Sequence, residues 1–214
     1  MYFYLSTKNC LRLLISCAVV GFFSRGIEVK AQNVCADIKL DSSQSLKFSK
    51  MQLWLDHLEA EKGNFSQIDQ KGKSATGKFA LQRPNDMRFD YDGKNGIHII
   101  GSEGKIAYTD PSVGQVTFLP MDKTPLGLLF GKSYGWESIC LQKFNEDSQF
   151  LSATLTQKNN PSQGNITLKF MKDPLHLSGW RIEDMQGNIT EIVLDQIKEV
   201  KGFSSHYFKL PKES

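Results

Sequence analysis

The stretch that decides the fold reads FALQRPNDMRFDY at residues 79–91, IHIIGSEGKIAYTDP at 97–111 and GQVTFLPMDKTPLGLLFG at 114–131. Apolar and polar residues alternate within these segments, and turn residues separate them, which is typical of short antiparallel strands. An apolar segment near residue 125 breaks this alternation. The stretch therefore predicts a β-meander that is interrupted by one short helix.

Arg83 falls in register with Phe79 and Leu81, on the predicted apolar face of one strand. A guanidinium keeps its charge in proteins, and burying it costs free energy unless it finds partners. The short helix that follows ends in carbonyl groups that need donors. We therefore expect Arg83 to reach that helix or the loop beside it.

Alternation also assigns an inward, apolar face to the strands of this stretch, and we expect that face to line a cavity. The predicted lining residues are Phe79, Leu81, Met87, Phe89, Tyr91, Ile97, Ile99, Val116 and Phe118. Because side chains alternate with a period of two, a register slip of one residue would exchange the two faces.

The apolar segment after the strands has the signals of a short helix. Thr124 can cap it, Pro125 suits its first position and Gly131 suits its end. The helix would comprise Pro125, Leu126, Leu128, Leu129 and Phe130. From the residues alone, it is either a plug at one end of a barrel or a lid over an apolar cavity.

The N-terminus, residues 1–31, is typical of a secretory signal peptide. Lys8 and Arg12 precede an apolar run at 13–23, and residues 29–31 offer a small-x-small cleavage site. The run is too short to span a bilayer, which takes about 20 apolar residues. A lipobox at 14–17 is the alternative interpretation.

Residues 32–214 are then predicted to form one domain. Without the leader, this part contains 22 basic and 22 acidic residues. Such a balance gives no electrostatic basis for binding nucleic acid. Cys35 and Cys140 remain, and an oxidising compartment would permit a disulfide between them, although two separate thiols are also compatible with the sequence.

The rest of the chain predicts one amphipathic helix and further strands. Phe48, Met51, Leu55 and Leu58 recur at helical spacing within residues 42–61, with Ser42 or Ser43 as the N-cap. The strand candidates are 64–71, 75–83, 87–92, 97–101, 105–109, 115–119, 136–143, 148–157, 165–171, 176–184, 189–199 and 205–209. Short connections make neighbours antiparallel, and a meander this long curls or closes.

Two motif matches carry no chemistry. Residues 131–135 fit the G-x-S-x-G elbow around Ser133, but that elbow needs a strand before the serine and a helix after it, which is the reverse of the predicted order. A phosphate-binding loop fails on its glycine spacing. The four histidines lack metal-ligand spacing. We therefore predict no catalytic residue, metal or cofactor.

The order of several short motifs resembles that of the outer-membrane lipoprotein carrier family, the periplasmic LolA-type chaperones. The matching segments are residues 63–67, 82–84, 88–91, 102–105, 108–111, 124–126, 180–184, 188–190 and 208–211. Met87 departs from the family pattern, which often has an aromatic residue there.

The resemblance implies a mainly β fold with a helical lid. An unclosed antiparallel β-barrel of about eleven strands would be covered by an N-terminal helix and short internal helices, with Arg83 as the arginine that closes the lid. It also implies a monomeric periplasmic carrier of acylated lipoproteins. The donor would be an ABC-type release complex of the inner membrane, and the acceptor an outer-membrane receptor or the membrane itself.

Two alternatives remain at this level. A half-barrel of the same fold could sense lipids or lipoproteins without shuttling them, and an esterase could use Ser133. Lipid analysis of the purified protein would separate a carrier from a protein that holds no lipid, and a reactive-serine probe would test the esterase.

Overall fold

The computed structural model of the chain describes residue 35 and residues 37–93, 96–130 and 135–212. The N-terminal helix α1 spans Ser42–His57. Its N-cap is Asp41, whose side chain accepts from the Gln44 backbone N–H at 2.8 Å, while the Gln44 side chain accepts from the Asp41 N–H at 3.1 Å. This reciprocal capping box replaces the predicted cap at Ser42 or Ser43.

Eleven strands follow α1. They are β1 (Ala60–Asp69), β2 (Ser74–Gln82), β3 (Asp86–Tyr91), β4 (His98–Ser102), β5 (Lys105–Asp110), β6 (Gln115–Pro120), β7 (Ile139–Glu146), β8 (Phe150–Gln157), β9 (Asn165–Lys172), β10 (Leu175–Glu183) and β11 (Ile189–Glu199). Between β6 and β7 lie a 3₁₀ turn at Met121–Lys123, helix α2 at Gly127–Phe130 and a 3₁₀ turn at Trp136–Ser138. A further 3₁₀ turn spans Pro161–Gln163.

The strands form one antiparallel sheet in the order β6-β5-β4-β3-β2-β1-β11-β10-β9-β8-β7. Each half of the sheet is a meander, and the two halves meet where β1 pairs with β11. In the described part of the chain, β6 and β7 are the two edges and do not pair with each other. This open sheet of eleven strands with a few helices confirms the predicted fold class.

The core lies between the inward face of the curved sheet and the helices. Met51 and Leu55 of α1 are buried in it, and the Trp54 ring meets the Phe170 ring of β9 edge to face at 5.3 Å between centroids. A smaller cluster covers the opposite face, where Phe208 packs on Ala80 and Ile100. The sheet is therefore covered on both sides near β2 to β4.

Three predicted boundaries were wrong. Helix α1 ends at His57 rather than at 61, because residues from Ala60 onward pair with β2 as a strand. Strand β7 begins at Ile139 rather than at 136, because Trp136–Ser138 form a 3₁₀ turn. The predicted strand at 205–209 is a series of turns, and its apolar residues pack through Phe208 instead of pairing.

A disulfide joins Cys35 to Cys140 of β7, with a Cα–Cα distance of 5.9 Å. The backbone N–H of Ile38 also donates to the carbonyl of Leu141 at 3.2 Å. The segment before α1 is thus attached to an edge strand of the sheet. The predicted signal peptide, its cleavage site and the alternative lipobox lie outside the described residues. None of the described helices is long and apolar enough to cross a membrane.

Candidate functional site

An apolar cavity of about 80 Å³ lies between the inward face of β3 to β6, strands β10 and β11, and the segment 124–126. Its apolar wall consists of Met87, Phe89, Tyr91, Ile99, Ile106, Tyr108, Leu119, Pro125, Leu126, Trp180, Ile182 and Ile192. Polar side chains line the rest of it, namely Gln67, Thr124, Gln163, Asp184, Asn188 and Thr190. The cavity is therefore mainly apolar, with polar groups toward one end of the sheet.

Phe89 links the two halves of the cavity floor. Its ring lies 5.9 Å from the Trp180 ring of β10, 5.0 Å from Phe65 and 6.3 Å from Phe79, measured between centroids. The contacts with Trp180 and Phe65 are edge to face, a favourable arrangement for aromatic rings. The floor is thus a packed aromatic layer that joins β3 to β10.

Most of the residues predicted to line the cavity share its face of the sheet. Met87, Phe89, Tyr91 and Ile99 line the cavity directly. Phe79 and Leu81 are buried on the same face within the core, and Ile97 is partly buried against that core. These three residues support the wall and are not part of it.

Val116 and Phe118 face the opposite way from the prediction. Tyr108 of β5 lines the cavity and pairs with Thr117, while Ile106, which also lines it, pairs with Leu119. Directly opposed residues of an antiparallel pair share a face. Thr117 and Leu119 are therefore inward, and Val116 and Phe118 are outward. The inward-facing set of β6 is therefore shifted by one position from the predicted set.

The sequence analysis also missed the wall from the second half of the sheet. Trp180 and Ile182 alternate on β10, and Thr190 and Ile192 alternate on β11. This period-two pattern was visible in the sequence. What it lacked was the information that β11 returns to pair with β1, which brings these strands opposite β3.

Residues 121–130, which we name the lid segment, contribute Thr124, Pro125 and Leu126 to the cavity wall. The Thr124 hydroxyl donates to the Met121 carbonyl at 2.9 Å, and the Phe130 N–H donates to the Leu126 carbonyl at 3.0 Å. Helix α2 is shorter than predicted, because Pro125 and Leu126 form a turn before it. Leu126, Leu128, Leu129 and Phe130 are all buried, so the lid segment presents its apolar side chains to the core.

Met121 anchors the lid segment at its start. It is fully buried, and a Cβ added at Gly101 of β4 would lie 2.8 Å from its terminal methyl carbon and 2.7 Å from Cγ of Met87. A side chain at position 101 would therefore require Met87 and Met121 to shift from their present packing.

Arg83 donates from Nη1 to the carbonyl oxygen of Leu129 in α2. Its backbone N–H donates to the Glu59 carbonyl at 3.1 Å, which extends the pairing of β1 and β2. Burial lowers the pKa of Arg83, and nearby Asp56 raises it, yet the guanidinium remains charged. Asp56 also accepts from Nε1 of Trp136 at 3.1 Å, so the end of α1, β2 and the segment after α2 meet around Arg83.

The described residues offer one cluster of metal-ligand type, formed by Cys35, Asp37 and Cys140. The two cysteines are joined in the disulfide, and a thiolate is the form that binds a metal. This cluster is therefore a structural crosslink. Ser133 lies outside the described residues. The chemistry of the site is that of an apolar cavity closed by a segment that a charged hydrogen bond holds.

Comparison with known proteins gives one family. The sequence model described as "Outer membrane lipoprotein carrier protein LolA" matches residues 56–211. An outer-membrane lipoprotein carrier protein of Methylobacillus flagellatus is 24% identical over 198 residues, which cover 88% of this chain and 93% of the relative. The carrier protein of Leptothrix cholodnii is 29% identical over 117 residues, 50% of this chain and 55% of the relative.

Two further similarities are to an uncharacterized protein and to a solved structure. An uncharacterized protein of Rickettsia prowazekii is 24% identical over 180 residues, 81% of each chain. Among solved structures, the LolA superfamily protein of Nitrosomonas europaea is 9% identical, with a TM-score of 0.45, over 76% of this chain and 97% of that one.

Proposed function

The chain belongs to the outer membrane lipoprotein carrier protein LolA family, and from this membership we propose that it binds the acyl chains of lipoproteins in its cavity and carries them from the inner to the outer membrane. The observation that carries the proposal is the apolar cavity beneath the lid segment. It is a binding role without catalysis, and the family membership supports it.

The energetics of an acyl chain support this assignment. Burying a hydrocarbon chain gains about 0.8 kcal/mol per methylene, so a chain of about sixteen carbons gains on the order of 12 kcal/mol in a membrane. A carrier has to offer comparable apolar surface and to cover it when empty. The aromatic floor around Phe89 and the buried leucines of the lid segment provide these two parts.

The structure is a closed state with respect to such a ligand. An engineered cavity of about 150 Å³ holds one benzene, whereas this cavity is about 80 Å³. A long acyl chain therefore requires the lid segment to move outward. Its displacement would merge the cavity with the space now filled by Leu126, Leu128, Leu129 and Phe130.

We place this activity in the periplasm. Residues 1–31 would direct export and be removed, and residues 32–214 would act as a monomeric carrier. The Cys35–Cys140 disulfide supports this proposal, because disulfides persist in oxidising compartments. An ABC-type release complex of the inner membrane would load the carrier, and an outer-membrane receptor or the membrane itself would receive the lipoprotein.

The test is binding of a synthetic dipalmitoylated lipopeptide to the exported protein. Ile182 lines the cavity and is only partly buried, so Ile182→Asp should leave the fold intact. Because an unpaired charge in an apolar cavity is costly, we expect at least about a tenfold loss of affinity. The matched control is Val193→Asp on the exposed outer face of β11, which should bind like the parent.

The same preparation separates a carrier from a lipid-sensing module. Loaded protein is mixed with vesicles of outer-membrane lipid composition, and transfer of the lipopeptide is measured. A carrier delivers the lipopeptide. Tight binding without transfer to vesicles or to an outer-membrane extract would contradict the shuttling role and favour a sensor, and absence of binding would contradict both.

A further inference from the structure

Glu61 is a buried acid on the inward face of β1. It is 2% exposed and lies directly opposite Leu81 of β2. Its Oε2 atom is buried without a hydrogen-bond partner among the described residues. Burial, and secondarily the charge of Glu199, raise the pKa of Glu61 to about 7. A buried carboxyl oxygen without a donor is unfavourable, so Glu61 would gain from a donor that reached it.

Arg83 lies close to Glu61 on the same face of the ladder of β1 and β2, whereas Lys62, the next residue of β1, is exposed on the other face. Glu61 pairs with Leu81, and Arg83 is opposite Glu59 through its backbone hydrogen bond. Arg83 is therefore the diagonal neighbour of Glu61, and diagonal neighbours on one face lie about 7–8 Å apart, within reach of long side chains. In the closed state the guanidinium donates to the Leu129 carbonyl instead.

The other ionisable groups around Glu61 are acids and histidines. Glu59 and His57 approach from the end of α1, Glu199 and Asp195 from β11, and His176 from β10. Among the described residues that line the two clefts beside Glu61, there is no lysine or arginine. Arg83 is thus the cation that the ladder places on the face of this carboxylate. It lines the neighbouring cleft with Asp56, Glu59 and Lys201, whose side chains are exposed.

We propose that Glu61 is the second partner of Arg83, so that the guanidinium exchanges the Leu129 carbonyl for the Glu61 carboxylate when the lid segment moves outward. This inference rests on the proposed function, because it supposes a lid that opens for a ligand. The exchange satisfies a buried acid at the moment when the arginine loses its carbonyl partner. It thereby lowers the free energy of the open state.

The exchange links the opening of the lid segment to the release of a proton from Glu61. In the closed state the pKa of Glu61 is raised to about 7, so that its carboxyl binds a proton below that pH, whereas an ion pair with an arginine lowers the pKa of a carboxyl by about 1–3 units. The closed state therefore binds more protons, and opening becomes easier as the pH rises. Between about pH 5 and pH 7 the opening equilibrium should increase by up to about tenfold per pH unit, and then level off.

The first experiment measures the affinity of the dipalmitoylated lipopeptide from pH 5 to pH 8. The parent should bind up to about tenfold more tightly per pH unit up to about pH 7. Glu61→Gln should bind with the weak, pH-independent affinity that the parent shows at pH 5, because a neutral amide cannot form the ion pair. Retention of the parent's pH dependence by Glu61→Gln would overturn the inference.

Two control variants test whether the pH dependence of lipopeptide affinity arises from Glu61 or from another group. Glu59→Gln removes an exposed carboxylate two residues away and should keep it. His57→Gln combined with His176→Gln should also keep it, and its loss there would assign the effect to histidine and overturn the inference. A parent that binds no lipopeptide overturns the proposed function as well, whereas binding with unchanged pH dependence in Glu61→Gln overturns this inference alone.

The second experiment follows the Glu61 carboxyl carbon by NMR during a pH titration of the empty and the lipopeptide-loaded parent. We expect the pKa of Glu61 to fall by about one unit or more on loading, as an ion pair with arginine requires. A purely structural acid under α1 would titrate identically in both forms, and that result would contradict the exchange.

Discussion

The charge of Arg83 lies where the apolar interior meets the lid segment, and its guanidinium donates to the Leu129 carbonyl. A hydrogen bond to a charged group contributes about 1.5–3 kcal/mol. Burial of an acyl chain of about sixteen carbons gains about four to eight times as much, at about 0.8 kcal/mol per methylene. In the proposed function, this contact would hold the lid segment over an empty cavity and would still be displaced by a ligand.

Replacing Arg83 with Leu should favour the open or ligand-held state. At pH 5, where pairing with Glu61 contributes least, the loss of the Leu129 bond dominates, and lipopeptide affinity should rise about tenfold because 1.4 kcal/mol corresponds to a factor of ten. Release to acceptor vesicles should slow accordingly. Arg88→Leu, which removes an outward arginine paired with Asp90 at 2.9 Å, is the control. If the Arg83 variant released the lipopeptide at the parent's rate, Arg83 would have a structural role and no role in release.

The facing of a single residue could be predicted where the residue belonged to a clear alternating pattern. Arg83 follows the alternation of Phe79 and Leu81, and a buried cation has to find an acceptor, so the search for a partner on the following helix was well founded. Glu61 was not visible in this way, because the helical pattern of α1 was extended over it. Only its pairing with β2 reveals that it faces inward.

At the scale of elements, the position of β6 was predicted correctly, but the residues that face the cavity were not. The strand was expected at 115–119 and is found at Gln115–Pro120. Its residues Val116, Phe118 and Leu119 are all apolar, so alternation alone does not select a face. The pairing of Ile106 with Leu119 selects it, and this pairing depends on the preceding turn.

We expect Leu119→Asp and Phe118→Asp to differ in lipopeptide binding. Leu119 lines the cavity, and a charge there should reduce affinity at least about tenfold, since burying an unpaired carboxylate is costly. Phe118 is outward, where the Lys105 ammonium lies 5.8 Å from its ring centroid, and its variant should bind normally. Isothermal titration of both variants decides the register, and the reverse order of affinities would contradict it.

The secondary structure of both halves was largely predictable from period and turn residues, whereas the ends of elements were not. Gly104 lies in the tight turn between β4 and β5 at φ +80°, a conformation that glycine adopts readily. The failure at 205–209 has another cause. Phe208 packs on Ala80 and Ile100 from outside the sheet, and no local pattern distinguishes such packing from a strand.

At the scale of the whole molecule, the disulfide attaches the N-terminal segment to the far edge of the sheet. Cys35 and Cys140 are 105 residues apart, and closing a loop of that size in the unfolded chain corresponds to about 4 kcal/mol of stabilisation. It also orders the residues that lead into α1. The crosslink therefore fixes one end of α1 relative to β7.

Replacing both cysteines with serine should lower the free energy of unfolding by about 4 kcal/mol. Urea unfolding of the variant and of the parent, with and without reductant, measures the difference. The reduced parent should match the variant. A difference below about 1 kcal/mol would mean that noncovalent contacts, such as that of Ile38 with Leu141, already hold the segment.

The overall arrangement was predictable only in part. Short connections require antiparallel neighbours, which gives two meanders, but they do not specify that β11 returns to β1. That contact creates the second wall of the cavity with Trp180 and Ile192. It depends on packing between distant parts of the chain; the family resemblance implied an unclosed barrel of about eleven strands but did not specify this pairing.

The junction between β1 and β11 also has a kinetic consequence. Every other pairing joins strands that are neighbours in sequence, whereas this one brings together the first and the last strand, with Phe65 opposite Leu194. Contacts between distant residues form slowly, because the entropy of closing a long loop is lost before they form. Each meander can therefore form early, while the junction waits for the last strand to be made. A chain with this strand order completes its sheet only after β11 has been made, so both meanders carry an unpaired edge, at β1 and at β11, until then.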